Sequence, residues 1–155
     1  MKSGVFLKIW IDNDACPRTV RDLIFAAAIR RTLQVVLVGN TMAKVPPGKL
    51  FSAICVPGGF DEADDHIAEN VGSGDLVITS DIPLAGRIVA KGATGLNSHG
   101  SLFTEASIGE QLATRNLMHE LRSGGMSGGG PPPFGEQEKK RFANALEKTL
   151  DQLRK

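Results

Sequence analysis

Cysteine is scarce in this 155-residue chain. Cys16 and Cys55 are too few for a disulfide scaffold, and reduced thiols in a cytoplasmic protein are the expectation. Histidine is scarce too: His66, His99 and His119 are the three present, and none stands at zinc-ligand spacing from the cysteines. No apolar run approaches the ~18 residues that span a bilayer, so no membrane contact is expected. The N-terminal apolar stretch is interrupted by Lys8 and ended by Asp12. No small-residue cleavage site follows it, so no secretory signal is expected. Internal repeats are absent.

What is there suits one soluble globular domain. Hydrophobic residues make up 41% and charged residues 23% of the chain, ordinary values for a protein with a real core. A chain of this size buries on the order of 70% of its unfolded surface. The net charge of +1 hides an asymmetry. Residues 1–50 carry +5, residues 51–112 carry −7 and residues 113–155 carry +3. An acidic middle between basic flanks suits a cation site bordered by anion-binding surface, although ordinary surface charge gives the same counts.

The order of elements follows from periodicity. Val5, Leu7, Ile9 and Ile11 alternate with Phe6, Lys8 and Trp10, which predicts a strand running into Asp12. Pro17 suits the first turn of a helix. Val20, Leu23, Ile24, Ala27 and Ala28 recur at helical spacing up to Arg30 and Arg31. Short apolar runs at 33–38, 52–56, 76–79 and 93–96 read as further strands, buried on both faces. Helices are expected over 61–71, 83–91, 104–122 and 136–153. Strands alternating with helices imply a central parallel sheet of four or five strands covered on both faces, a three-layer α/β domain with a C-terminal helical extension. The domain is expected over 1–122, a Gly/Pro-rich loop over 123–135, and a last helix over 136–155 belonging to the same domain. That loop is long enough to raise the question of function or mobility, with a plain linker as the alternative.

In such sheets ligands bind beyond the carboxyl ends of the strands. That rule selects Asp12 and Asp14 after the first strand and Asp81 after the fourth. A carboxylate at the end of a buried strand is partly desolvated and needs a cation, a donor or a proton. On the acidic helix, the apolar stripe is Phe60, Ala63, Ile67 and Val71. At about 100° per residue, Asp64 lies roughly 55° from its centre, Asp61 roughly 115° and Asp65 roughly 155°. Asp64 therefore reaches inward at the stripe's edge, Asp61 suits a helix cap, and Asp65 points to solvent. Asp61, Asn13, Thr79 and Ser80 are secondary candidates beside these acids. Oxygen donors without His or Cys suit Mg²⁺ or Mn²⁺. A metal held by carboxylates polarises phosphoryl oxygens, which is the chemistry of phosphoester hydrolysis. Of the basic residues, Arg18 at the site mouth and Arg87 on the helix after Asp81 are expected to bind substrate. Arg21, Arg30, Arg31, Lys44 and Lys49 are further phosphate contacts or a solvated face.

The strings that carry these residues form a signature. Ile11-Asp12-Asn13-Asp14-Ala15-Cys16-Pro17, Lys44-Val45-Pro46-Pro47, Gly59-Phe60-Asp61-Glu62-Ala63-Asp64, the run from Gly74 to Ala85 and the late Gly-Gly-Pro-Pro segment together resemble the YaiI/YqxD family of uncharacterised bacterial proteins. The match covers nearly the whole chain. The family looks like a branch of the PIN-like nuclease fold, whose members gather acids around Mg²⁺ or Mn²⁺. The resemblance implies that Asp12, Asp64 and Asp81 bind the metal, that Asp14 is an added acid of the catalytic set, and that Thr79-Ser80-Asp81 is the fourth-strand motif. Where PIN-like sites carry a last acid, this chain has Asn97. The implied function is metal-dependent cleavage of RNA, with DNA as the second choice of substrate.

Other chemistries use the same residues. Asp12-x-Asp14 after a strand resembles the nucleophile and acid/base pair of haloacid-dehalogenase-like phosphatases, with Asp12 attacking phosphorus. A nucleic-acid-binding or regulatory module with an inactive metal site is the non-enzymatic reading. Cys16 at a helix N-terminus is a thiol candidate. The neighbouring acids oppose its ionisation and no histidine is placed as its base, so Cys16 is expected to pack, and Cys55 to be structural within its strand. His99 is expected at the surface.

Overall fold

The computed structural model describes residues 7–58, 62–110, 113 and 135–153. Their order is β1 (Lys8–Asp12), a 3₁₀ turn (Asn13–Ala15), α1 (Arg18–Arg31), β2 (Gln34–Gly39), β3 (Phe51–Cys55), α2 (Glu62–Asn70), β4 (Leu76–Ile78), α3 (Ile82–Ala90), β5 (Thr94–Leu96) and β6 (Leu102–Phe103). A helical stretch over 105–110 (α4) and the long α5 (Glu136–Leu153) complete it. The Gly/Pro-rich loop and most of the helix expected over 104–122 lie outside the described residues, as does Asp61.

The sheet has six strands in the order β3-β2-β1-β4-β5-β6. Five run parallel, and β6 pairs antiparallel with β5. The five parallel strands match the expectation, and β6 adds an antiparallel edge that it did not include. The sixth is two residues long, below the length at which alternation is readable. Its Phe103 is buried and lies so close over Gly95 that a Cβ there would stand 2.9 Å from the ring.

Alternation along the central strands divides the core into two halves. Ile9, Ile11, Val35, Leu37, Leu76 and Ile78 point toward α1 and α5, where Ile24, Phe142, Leu146 and Leu150 close the layer. Trp10, Val36, Val38 and Val77 point the other way, against Ile67, Leu84 and Ile88 of α2 and α3. Both faces are covered, which is why these strands read as continuous apolar runs. The C-terminal helix thus belongs to the domain core. Arg31 fixes it further by donating to Glu147 at 2.7 and 3.1 Å and to Asp151 at 2.8 Å, with Arg30 also paired to Glu147. These two arginines brace α1 against α5 and are committed to that role rather than to phosphates.

The strand order reverses between β1 and β4, so the crevice of a doubly wound sheet falls between their carboxyl ends. Among the described residues no helix is long and apolar enough to cross a membrane.

Candidate active site

Register brings the acids to the crevice. Ile11 pairs with Ile78, so the next residues along, Asp12 and Thr79, are neighbours at the strand ends. Asp12 is only 6% exposed. The Thr79 hydroxyl donates to its Oδ2 at 3.0 Å. The same Thr79 Oγ1 accepts from the Asp81 backbone N–H at 3.0 Å. Asp81 caps α3, its Oδ1 accepting from Leu84 N–H at 2.9 Å, with Pro83 in the first turn.

The open lone pairs are the informative ones. Among the described residues nothing donates to Asp12 Oδ1 or to Asp81 Oδ2. No buried side-chain polar atom among them lacks a partner, so the second oxygen of Asp12 reaches solvent. Asp12 also lines a narrow cleft with Cys16, Ile78, Thr79, Ser80 and Ser98. Burial pushes the Asp12 carboxyl above the ordinary carboxylate range; the Thr79 hydrogen bond opposes this, and the negative charges of Asp81 and Asp14 add to it. Of these acids it is Asp12 that is buried with a single side-chain donor.

Asp14 is held differently. Both its oxygens accept from Asn40 N–H at 3.1 Å, which draws the carboxylate toward the end of β2. Asn13 Oδ1 accepts from Arg21 at 2.8 Å. Asp64 stands half-buried on α2, outside the lining of the Asp12 cleft. Asp65 is exposed, as its helical angle indicates, and pairs with Arg87 at 2.8 Å. Arg87 is therefore engaged on the outer side of the α2–α3 pair. Arg18 is exposed at the first residue of α1. Pro17 occupies the cap position just before that helix rather than its first turn.

Sequence reasoning missed Ser98. Its hydroxyl lies 3.4 Å from that of Ser80, and it is buried at the cleft. The register places it there: Leu96 pairs with Ile78, so the residues after β5 meet those after β4. Asn97 itself is spent on the turn, its Oδ1 accepting from His99 N–H and Ser101 N–H at 2.9 Å.

Cys16 packs against the core as expected, whereas Cys55 does not match its expectation. Cys16 lines the cleft, but burial pushes its thiol up to about 12, so it is no nucleophile near neutral pH. Cys55, expected to be structural, is the exposed last residue of β3.

Among the described residues no three acidic, histidine or cysteine side chains stand close enough to form a ready-made metal centre. The set Asp12, Asp64 and Asp81 is thus not preassembled as three ligands. What the structure links is Asp12 to Asp81 through the Thr79 hydroxyl, with Asp81 itself outside the lining of the cleft. That pair fits Mg²⁺, which is commonly held by one or two carboxylates, with waters and substrate phosphate filling the remaining positions. Mn²⁺ takes the same oxygen donors.

A family model described as "Uncharacterized BCR, YaiI/YqxD family" matches residues 10–152. A UPF0178 protein of Geobacter sulfurreducens is 49% identical over 148 residues, covering 95% of this chain and 98% of that one. A UPF0178 protein of Dechloromonas aromatica is 46% identical over 147 residues, with 95% and 98% covered. One of Pseudomonas putida is 46% identical over 149 residues, with 96% and 99% covered. No solved structure matches the chain significantly.

Proposed function

Since the chain belongs to the YaiI/YqxD family, whose description assigns no reaction, we propose its chemistry from the cleft: Mg²⁺- or Mn²⁺-dependent hydrolysis of phosphodiester bonds in RNA. The observation that supports this most is the buried Asp12, raised by its burial and by Asp81 and Asp14, with one oxygen left open to solvent. A desolvated carboxylate beside other acids at the crevice of an α/β sheet is where a ligand site is expected on physical grounds.

The roles divide as follows. Asp12 and Asp81 supply the open oxygens that would hold the cation. A bound divalent ion would polarise a phosphoryl oxygen and stabilise developing charge. Thr79 keeps Asp12 in place and links it to the cap of α3. Ser80 and Ser98 offer hydroxyls at the cleft to a water or to a phosphate oxygen. Arg18 would meet the substrate backbone. RNA as the substrate rests on the PIN-like resemblance.

Cleavage of a mixed RNA pool, titrated with Mn²⁺, tests the proposal. The wild type is expected to cleave, and Asp12→Asn or Asp81→Asn to be inactive while retaining the native circular-dichroism spectrum. Full cleavage by either purified variant would overturn the assignment. A parallel single-stranded DNA pool decides between the two polymers.

Asn97 at the position of the usual last acid favours a second reading, nucleic-acid binding without cleavage. Salt-dependent RNA binding with no cleavage in either metal would select it. The phosphatase reading gains less from the geometry. The Asp14 carboxylate turns to Asn40 N–H at the end of β2 and makes no hydrogen bond toward Asp12.

A further inference from the structure

Beside the acidic cleft lies a groove of about 400 Å³ lined by Arg18, Arg21, Asp22, Phe25 and Lys44. Three cations against one carboxylate make it attractive to an anion. It opens at the start of α1, a 14-residue helix with no side-chain cap and no acid in its first turn, so the positive end of the helix dipole is left unneutralised there.

The groove is built rather than incidental. Lys44 sits on the segment between β2 and β3, and its two neighbours, Ala43 and Val45, both pack against the core. With both flanks anchored, Lys44 itself remains exposed. Pro46 and Pro47 follow and restrict the segment further. Phe25 is half-buried, and the Phe51 ring meets it edge-on at 5.2 Å between centroids. That contact fixes a ring that also borders the groove. Arg21 joins the groove to the acidic turn, because it lines the one and donates to Asn13, the residue between Asp12 and Asp14.

We propose that the groove is a nucleotide subsite, which takes the backbone phosphate of a single-stranded RNA segment on Arg18 and Lys44 and stacks its base against Phe25. An exposed cation pair beside a fixed aromatic ring is the combination by which single strands are held without sequence preference. A duplex keeps its bases stacked on each other and has none to offer the ring. The inference rests on the nucleic-acid reading of the cleft but not on its hydrolytic chemistry.

The test is fluorescence anisotropy of a labelled single-stranded RNA octamer with full-length protein in EDTA, titrated with salt. Lys44→Gln and Arg18→Gln are expected to weaken binding, each lowering the salt slope by about 0.7 per lost phosphate contact. Phe25→Leu is expected to weaken it about fivefold or more with the salt slope unchanged, and to have no such effect on a duplex of the same sequence. Lys148→Gln, the same charge change on the exposed side of α5, serves as the control and is expected to bind like wild type. Thermal melts confirm that each variant folds. If the wild type binds no RNA in EDTA, or if the groove variants bind as tightly as the control, the subsite is refuted. Weakened binding by the groove variants together with no cleavage in Mn²⁺ would sink the hydrolase and leave the subsite standing.

Discussion

Thr79 stands between two acids: its hydroxyl donates to Asp12 Oδ2 at 3.0 Å and accepts from the Asp81 backbone N–H at 3.0 Å. One small side chain thereby ties the end of β1 to the start of α3. Thr79→Val keeps the shape and removes both bonds. It should cost about 1–3 kcal/mol, the usual penalty when a buried polar group loses its partner. Urea denaturation at pH 7 measures this. An unchanged midpoint would mean that the hydroxyl does not support Asp12.

Asp12 carries a pH signature of its own. Its folded-state pKa lies above the unfolded value, chiefly through burial. The folded protein therefore holds that proton longer than the unfolded chain does. The associated stability is fully present below the unfolded value and is lost as pH rises through the folded one. Asp12→Asn removes the loss. In EDTA the variant should gain on wild type as pH rises from the ordinary carboxylate value through the raised folded-state one, and then hold a constant advantage. Adding Mg²⁺ or Mn²⁺ should reverse the order, because a ligand at 100 times its dissociation constant stabilises by about 2.7 kcal/mol and the variant lacks a ligand oxygen. Equal metal stabilisation of both proteins would remove Asp12 from the metal site.

The parts legible in the sequence were those governed by a single local period. The final helix, with Phe142, Leu146 and Leu150 on one stripe, has the expected bounds of Glu136–Leu153. Asp12, Thr79 and Asp81 were found because a general rule ties function to strand ends. What stayed hidden depends on distance in three dimensions. Helical angle set Asp64 apart from Asp65 but did not show that Asp64 stands outside the Asp12 cleft. Arg30 and Arg31 read as free cations because their partners on α5 are 116 and more residues away. Ser98 required the pairing of β4 with β5, which no one-dimensional pattern contains.

The two thiols should separate cleanly in a labelling experiment. Cys16 is held near pKa 12 by its burial, whereas Cys55 is exposed. With a thiol reagent at pH 8, one equivalent should react quickly with the native protein, and Cys55→Ser should abolish that phase. The second should appear only on unfolding. Cys16→Ser should leave RNA cleavage intact, since a thiol that does not ionise offers no nucleophile. Fast labelling of Cys16 in the native state would contradict the burial argument.

Gly39 is where a single methyl group should report on Asp14. A Cβ at this position would stand 2.8 Å from Asp14 Oδ1, and that carboxylate is held in place by Asn40 N–H. Gly39→Ala therefore forces Asp14 to move or the end of β2 to shift, at a cost of about 1–3 kcal/mol as for other overpacked sites. Asp14→Ala removes the colliding atom. In the double variant the added methyl meets no carboxylate, so the two changes should cost less together than the sum of the two alone. Residues in contact of this kind couple by about 0.5–3 kcal/mol. A thermodynamic cycle from four denaturation curves gives the coupling directly. Strict additivity would show that Gly39 is needed for some reason other than the approach of Asp14. Positive coupling would identify the glycine as the feature that lets a second acid sit beside the Asp12 cleft.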